Sequence, residues 1–229
     1  MSLKRIDIIT LFPAMADAVL AESMIGRAQR SGAVEIQIHN LRDWSKDKHN
    51  TVDDRPFGGG AGMLLKPEPL FDAIESLKTE DSTVIFLCPD GEQLGTPLVR
   101  DLAEHKHLIL ISGHYDGIDQ RVRDMLVDRE ISIGDYVLTN GTLPALVLVD
   151  CVCRYIPGVL GEEKSLTQDS FHDSLLGFPQ FTRPAEFRGV AVPEILLSGD
   201  HKAVERWRKE EQINKTRERR PDLLDKQPE

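Results

Sequence analysis

The stretch LPALVLVDCVCRY, Leu143 to Tyr155, most constrains what this chain can fold into. Pro144 suits a first helical turn, and Leu143, Leu146, Val147, Leu148, Val149, Cys151 and Val152 then occupy every face. A helix apolar all round is predicted to be buried on all sides. One way to achieve this is to sandwich it between its own sheet and a second copy of the chain, and burial within one chain is the alternative. The residues before it, SIGDYVLTNG (132–141), are of the opposite kind, rich in turn formers and poor in reactive side chains. Asp150 and Arg154 interrupt the apolar run four residues apart. This spacing fits an i,i+4 ion pair, or an arginine placed at the end of the segment to face a ligand.

Upstream, short apolar runs alternate with helical patterns. Strands are expected at Ile6–Ile9, Val34–Ile38, Val84–Cys88, Leu108–Ser112 and near Ile131–Ile133. A helix is expected from Gly95 to Glu104 with Thr96 as its cap, and another after Gly117 with Ile118, Val122 and Met125 on one stripe. Such alternation predicts an α/β domain with a largely parallel sheet. Three glycine-containing loops, at 89–95, 112–117 and 133–141, then follow strands, where open α/β sheets bind ligands. The segment GGGAG at 58–62 lacks the G-x-G-x-x-G spacing of a dinucleotide fingerprint.

Residues 161–175 are polar and aperiodic, and are read as an exposed linker. From 176 to 229 a small helical domain is expected, its long helix capped near Ser198 or Asp200. The net charge of −10 conceals an asymmetry, because residues 201–220 hold eight Lys/Arg against four Glu. Such a segment offers Lys202, Arg206, Arg208, Lys209 and Lys215 to a polyanion, or forms a solvated helix with pairs such as Glu205–Lys209. With charges at Lys4, Arg5 and Asp7 no signal peptide is expected, and the longest apolar run is too short to span a bilayer. Cys88, Cys151 and Cys153 form no CxxC pair, which favours a reducing cytoplasm and argues against zinc.

Taken together, nine stretches resemble one family. These include DDRPFGGGAGM (53–63), LCPDG (87–91), LISGHYDGIDQRV (110–122), SIGDYVLTNGTLPA (132–145), RYIPGVLG (154–161), DSF (169–171) and FPQFTRP (178–184). VPEILLSGDH (192–201) and RWR (206–208) complete the set. The chain is similar along nearly its whole length to the bacterial TrmD-type tRNA (guanine-N(1))-methyltransferases. The resemblance implies a SPOUT-type α/β domain over residues 1–160 that contains a deep trefoil knot, together with a homodimer whose active sites are shared between subunits. It implies S-adenosylmethionine as methyl donor, held largely by backbone at Leu87, Gly113, Ile133, Gly134, Asp135, Tyr136, Val137, Leu138 and Gly141. It implies tRNA as substrate, methylated at the guanosine immediately 3′ of the anticodon where another guanosine precedes it, with Asp169 as the base, Arg154 on the exocyclic oxygen and Asp116 serving the target base. A magnesium ion is implied as well, with no ligand cluster to assign to it. The chain departs from the family at Asp116, where a glutamate is common, and at Asn140, where glycine is. Two other classes explain part of the pattern: a small-molecule enzyme with a nucleotide site would use the loops, and a non-catalytic RNA-binding protein would use the basic segment.

Overall fold

The computed structural model describes residues 3–160 and 164–224, in two compact units, Met1–Gly161 and Glu162–Glu229. The first unit is built on five strands: β1 (Arg5–Thr10), β2 (Glu35–Asn40), β5 (Ser82–Gln93), β6 (His107–Ser112) and β7 (Arg129–Ser132). Their order is β2-β1-β6-β5-β7, and every pairing is parallel. A small antiparallel pair, β3 (Asp53–Asp54) with β4 (Leu64–Leu65), brackets the GGGAG segment. Around the sheet lie α1 (Pro13–Leu20), α2 (Ser23–Arg30), α3 (Pro67–Leu77), α4 (Thr96–Glu104), α5 (Gln120–Leu126) and α6 (Thr142–Cys153).

The central strands are near-continuous apolar runs because helices cover both faces of a parallel sheet. All six residues of β6 are buried, and alternate ones go to opposite cores. Leu108 and Leu110 join Ile6, Ile8, Ile85 and the inner face of α6. Ile109 and Ile111 join Ile9, Val84, Phe86 and residues of α3 and α5.

Several expectations need correction. The α4 helix is capped by Gly95 rather than Thr96, with no side-chain cap. The stripe after Gly117 holds only in part, since Ile118 and Val122 are buried while Met125 is exposed. Residues 89–93 are not a strand-to-helix loop, because β5 runs through them with a register shift against β7 between Leu87 and Glu92. The α6 helix is not buried all round within one chain either. Leu143 and Val147, one turn apart, remain 48% and 42% exposed.

The sheet also carries a buried charge. Asp7 on β1 is fully buried and accepts hydrogen bonds from His107 Nε2 (2.5 Å), His39 Nε2 (2.7 Å) and Arg5 Nε (2.7 Å). Burial pushes its carboxyl up, but these donors outweigh it and hold the group well below the usual carboxylate range. A depressed folded pKa stabilises the fold above the unfolded value of about 3.9 and is lost as pH falls through the lower folded value. Asp7→Asn is therefore expected to cost about 3 kcal/mol at pH 7, with a cost that shrinks below about pH 4. Urea unfolding of both proteins at pH 7 and pH 3 measures this, and a pH-independent difference would contradict it.

The second unit contains a short helix α7 (Lys164–Gln168), a hairpin of β8 (Glu186–Phe187) with β9 (Val190–Ala191), and the long α8 (His201–Arg219). Thus α7 forms within the segment read as linker, whose residues 161–163 lie outside the described residues. Asp200 caps α8 by accepting from the Lys202 and Ala203 N–H groups, each at 3.1 Å. The inner side of α8 is tied by Thr216, whose hydroxyl accepts from Leu176 N (3.0 Å) and donates to Gln212 O (2.6 Å).

Candidate active site

Because the strands are parallel, the ends of β6 and β7 and the bulge of β5 open onto one edge, and their loops enclose a cavity of about 300 Å³. Its wall includes Leu87, Gly113, Asp116, Ile133, Gly134, Tyr136, Val137, Leu138 and Gly141, so most residues expected at the donor site share one cavity. Asp135 is not part of that wall.

Main-chain packing shapes this cavity. Gly141 N donates to Gly113 O at 2.8 Å, joining the third loop to the second. A Cβ on Gly141 would stand 2.9 Å from Gly113 N and 3.0 Å from Ser112 Cα. A Cβ on Gly113 would meet the Phe86 ring at 2.9 Å. The loops therefore approach to a distance that excludes side chains. Gly134 has φ +149° and packs against the Tyr136 ring, while Tyr136 Oη donates to Ile133 O at 3.2 Å and Tyr136 N to Gly134 O at 2.9 Å. Below the loops, the buried Thr142 hydroxyl lies 2.9 Å from that of Thr10 and 3.0 Å from that of Ser112, fixing the start of α6 to β1 and β6.

Asn140 needs no left-handed backbone. Its φ is not positive, and its side-chain oxygen accepts from Thr142 N at 2.9 Å, closing the turn into α6. His114 Nδ1 lies 3.0 Å from Thr139 O and strengthens the same junction. The positive angles fall instead at Tyr115 (+57°) and Gly117 (+122°), which hold Asp116 between them.

The GGGAG segment acquires a role here. Asp116 N donates to Met63 O at 3.1 Å, and a Cβ on Gly62 would collide with the Asp116 carboxylate. That glycine seats the acid, which spacing rules for phosphate loops could not reveal. Arg123 is a second residue the sequence reading missed. It lies over the Phe86 ring at 5.4 Å and donates to Glu130 and Asp90, each at 2.7 Å. Arg123 hydrogen bonding holds the Asp90 carboxyl below its usual range. The Cys88 thiol is pushed up to about 12, first by burial and then by its hydrogen bond to Asp90, so it stays neutral and is no nucleophile.

Cys88, Asp90 and Glu130 are also the metal-ligand cluster found among the described residues. They do not suit magnesium: the Arg123 guanidinium already occupies both carboxylates, and a thiol is a soft ligand.

Arg154 forms the C-cap of α6 and is half-buried, at the far end of that helix from the loops. Asp169 belongs to the second unit. It sits in a tight turn after α7, its N–H donating to Leu166 O at 3.3 Å, with Phe171 (φ +70°) and Ser174 (φ +65°) shaping the chain beyond it. Of the cations on α8, Lys209 pairs with Asp173 at 2.9 Å rather than with Glu205, and Lys215 donates to Gly177 O at 3.0 Å. Lys202 and Arg206 stay exposed. Among the described residues no helix is long and apolar enough to cross a membrane.

Comparison with known proteins accounts for this combination. The family model described as tRNA (Guanine-1)-methyltransferase TrmD matches residues 4–226. The chain is 53% identical over 226 residues to a tRNA (guanine-N(1)-)-methyltransferase of Geobacillus kaustophilus, covering 98% of this chain and 93% of that protein. It is 52% identical to the Dictyoglomus turgidum protein of the same name, with 97% and 90% covered. With the Bacillus subtilis protein of that name identity is 51%, over 98% and 93%. The motifs, the parallel sheet and the cavity at its edge thus have one explanation: the chain belongs to the TrmD family.

Proposed function

We propose that this enzyme methylates N(1) of the guanosine immediately 3′ of the tRNA anticodon, with S-adenosylmethionine as donor. The observation that carries the reading is the contact of Gly141 with Gly113, which draws the loops after β6 and β7 together so that, with the end of β5, they enclose one cavity. Its volume of about 300 Å³ is at the small end of ligand sites, and main-chain groups suit an adenosyl donor held without reactive side chains. When bound, S-adenosylmethionine would supply a methyl group from its sulfonium, with S-adenosylhomocysteine, a neutral thioether, as the leaving group.

The protein's own groups do the rest. Guanine N(1) carries a proton in the neutral base and cannot attack until it is removed. Asp169 accepts that proton, and Arg154 donates to the exocyclic oxygen on which charge then builds. Asp116, fixed against Gly62, orients the base. A carboxylate in water is a weak base, so closure over the substrate must exclude water to strengthen it.

The exposed Leu143 and Val147 on α6, with exposed Met15 and Val19 on the adjoining α1, support a homodimer formed across this face, with active sites shared between subunits. Val147→Arg is expected to give a monomer by analytical ultracentrifugation, with methyl transfer lost. A dimer of unchanged mass would contradict the assignment of this face. The exposed Lys202 and Arg206 support tRNA phosphate contacts by α8, and the cysteine usage supports a cytoplasmic enzyme.

The function itself is tested by transfer of labelled methyl from S-adenosylmethionine to a tRNA transcript. Incorporation is expected with the guanosine present and none when it is replaced by adenosine. Incorporation into both transcripts would refute the assigned position.

A further inference from the structure

The second unit holds a cavity of its own, about 450 Å³, between the segment Phe178–Arg183 and α8. Its walls combine aromatic and polar side chains on an aliphatic floor that includes Leu196 and Val204: Phe181, 48% exposed, and Trp207 provide the rings, Gln168, Gln180 and Arg183 the polar groups. The guanidinium of Arg208 also lines it, 4.7 Å over the Phe178 ring. Its Nε is the buried side-chain nitrogen that lacks a hydrogen-bond partner among the described residues. On the same helix, Lys202 and Arg206 flank a shallow exposed depression.

This combination discriminates between ligand classes. An apolar peptide would leave the arginines and glutamines unanswered, and a free phosphate would make no use of the aromatic faces. An unstacked nucleobase uses both, its face on a ring and its edge on amide or guanidinium groups, with the adjoining phosphates drawn to nearby cations. We propose that this cavity holds one nucleobase of the tRNA other than the guanosine that is methylated, and so contributes to the choice of substrate. The inference deepens the tRNA-methylation reading and rests on it.

The test uses the full-length protein and tRNA transcripts carrying a single abasic nucleotide at each anticodon-loop position in turn. With the wild type, base removal at one position besides the target is expected to raise KM at least about fivefold, the lower range for a base–aromatic stack. Phe181→Ala is expected to show that same rise on the intact transcript and to be insensitive to base removal at that position, with kcat unchanged. The half-exposed position of Phe181 favours a folded variant, and Gln180→Ala, also exposed, carries the same comparison independently. Equal losses on wild type and variants at every position, or a wild-type KM for both variants, would overturn the proposal. A wild type that methylates no intact transcript would instead sink the tRNA reading beneath it.

Discussion

Asp169→Ala is expected to slow methyl transfer by about 10²- to 10⁴-fold, the usual worth of a general base, while S-adenosylmethionine affinity changes less than about twofold. The asymmetry follows from where the groups sit. The cavity proposed for the donor is lined by residues of the first unit, whereas Asp169 is held in the second by the turn that follows α7. Removing the carboxylate leaves the cavity untouched and leaves the N(1) proton without an acceptor. Asp169→Asn preserves shape but not basicity, so it should lose nearly as much. Single-turnover transfer and calorimetry with the donor read the two effects separately. Turnover within about tenfold of wild type would show that another group takes the proton.

Gly141→Val is expected to have the opposite profile, with donor affinity lowered about a hundredfold or more, as for loss of two hydrogen bonds. The new side chain would meet the backbone of Ser112 and Gly113 at 3.0 Å or less, and neither can move without breaking the 2.8 Å bond from Gly141 N to Gly113 O. Overpacking of this kind also costs about 1–3 kcal/mol of stability, visible in urea unfolding. Gly95→Ala is the control. Its Cβ would meet only Pro97 Cδ at an ordinary 3.8 Å, so affinity should not change. Equal loss in both variants would point to general destabilisation rather than to this contact.

These two residues also show where the sequence was readable. Strands such as β6 were legible because burial on both faces demands an unbroken apolar run, which HLILIS supplies. The loops were legible as backbone-rich segments after strands, but why Gly141 must be glycine was not. Its φ is −81°, an angle open to any residue, and the exclusion comes from a chain segment 28 positions away. The course of β5 through Pro89, Asp90 and Gly91 was hidden for a related reason. Those residues read locally as a turn, while a Cβ on Gly91 would meet the backbone of Glu130 and Ile131 at 2.5 Å. The Asp116–Gly62 contact joins elements far apart in sequence and leaves no periodic trace. Asp169 could be singled out only through family resemblance, since an acid in a polar stretch carries no local mark of chemistry.

A crystal structure of the protein with S-adenosylhomocysteine bears on this account most directly. The adenosyl group is expected between the loops after β6 and β7 and the end of β5, within contact of Leu87, Gly113, Ile133, Gly134, Tyr136, Leu138 and Gly141. Density for the nucleoside anywhere outside those turns would contradict it.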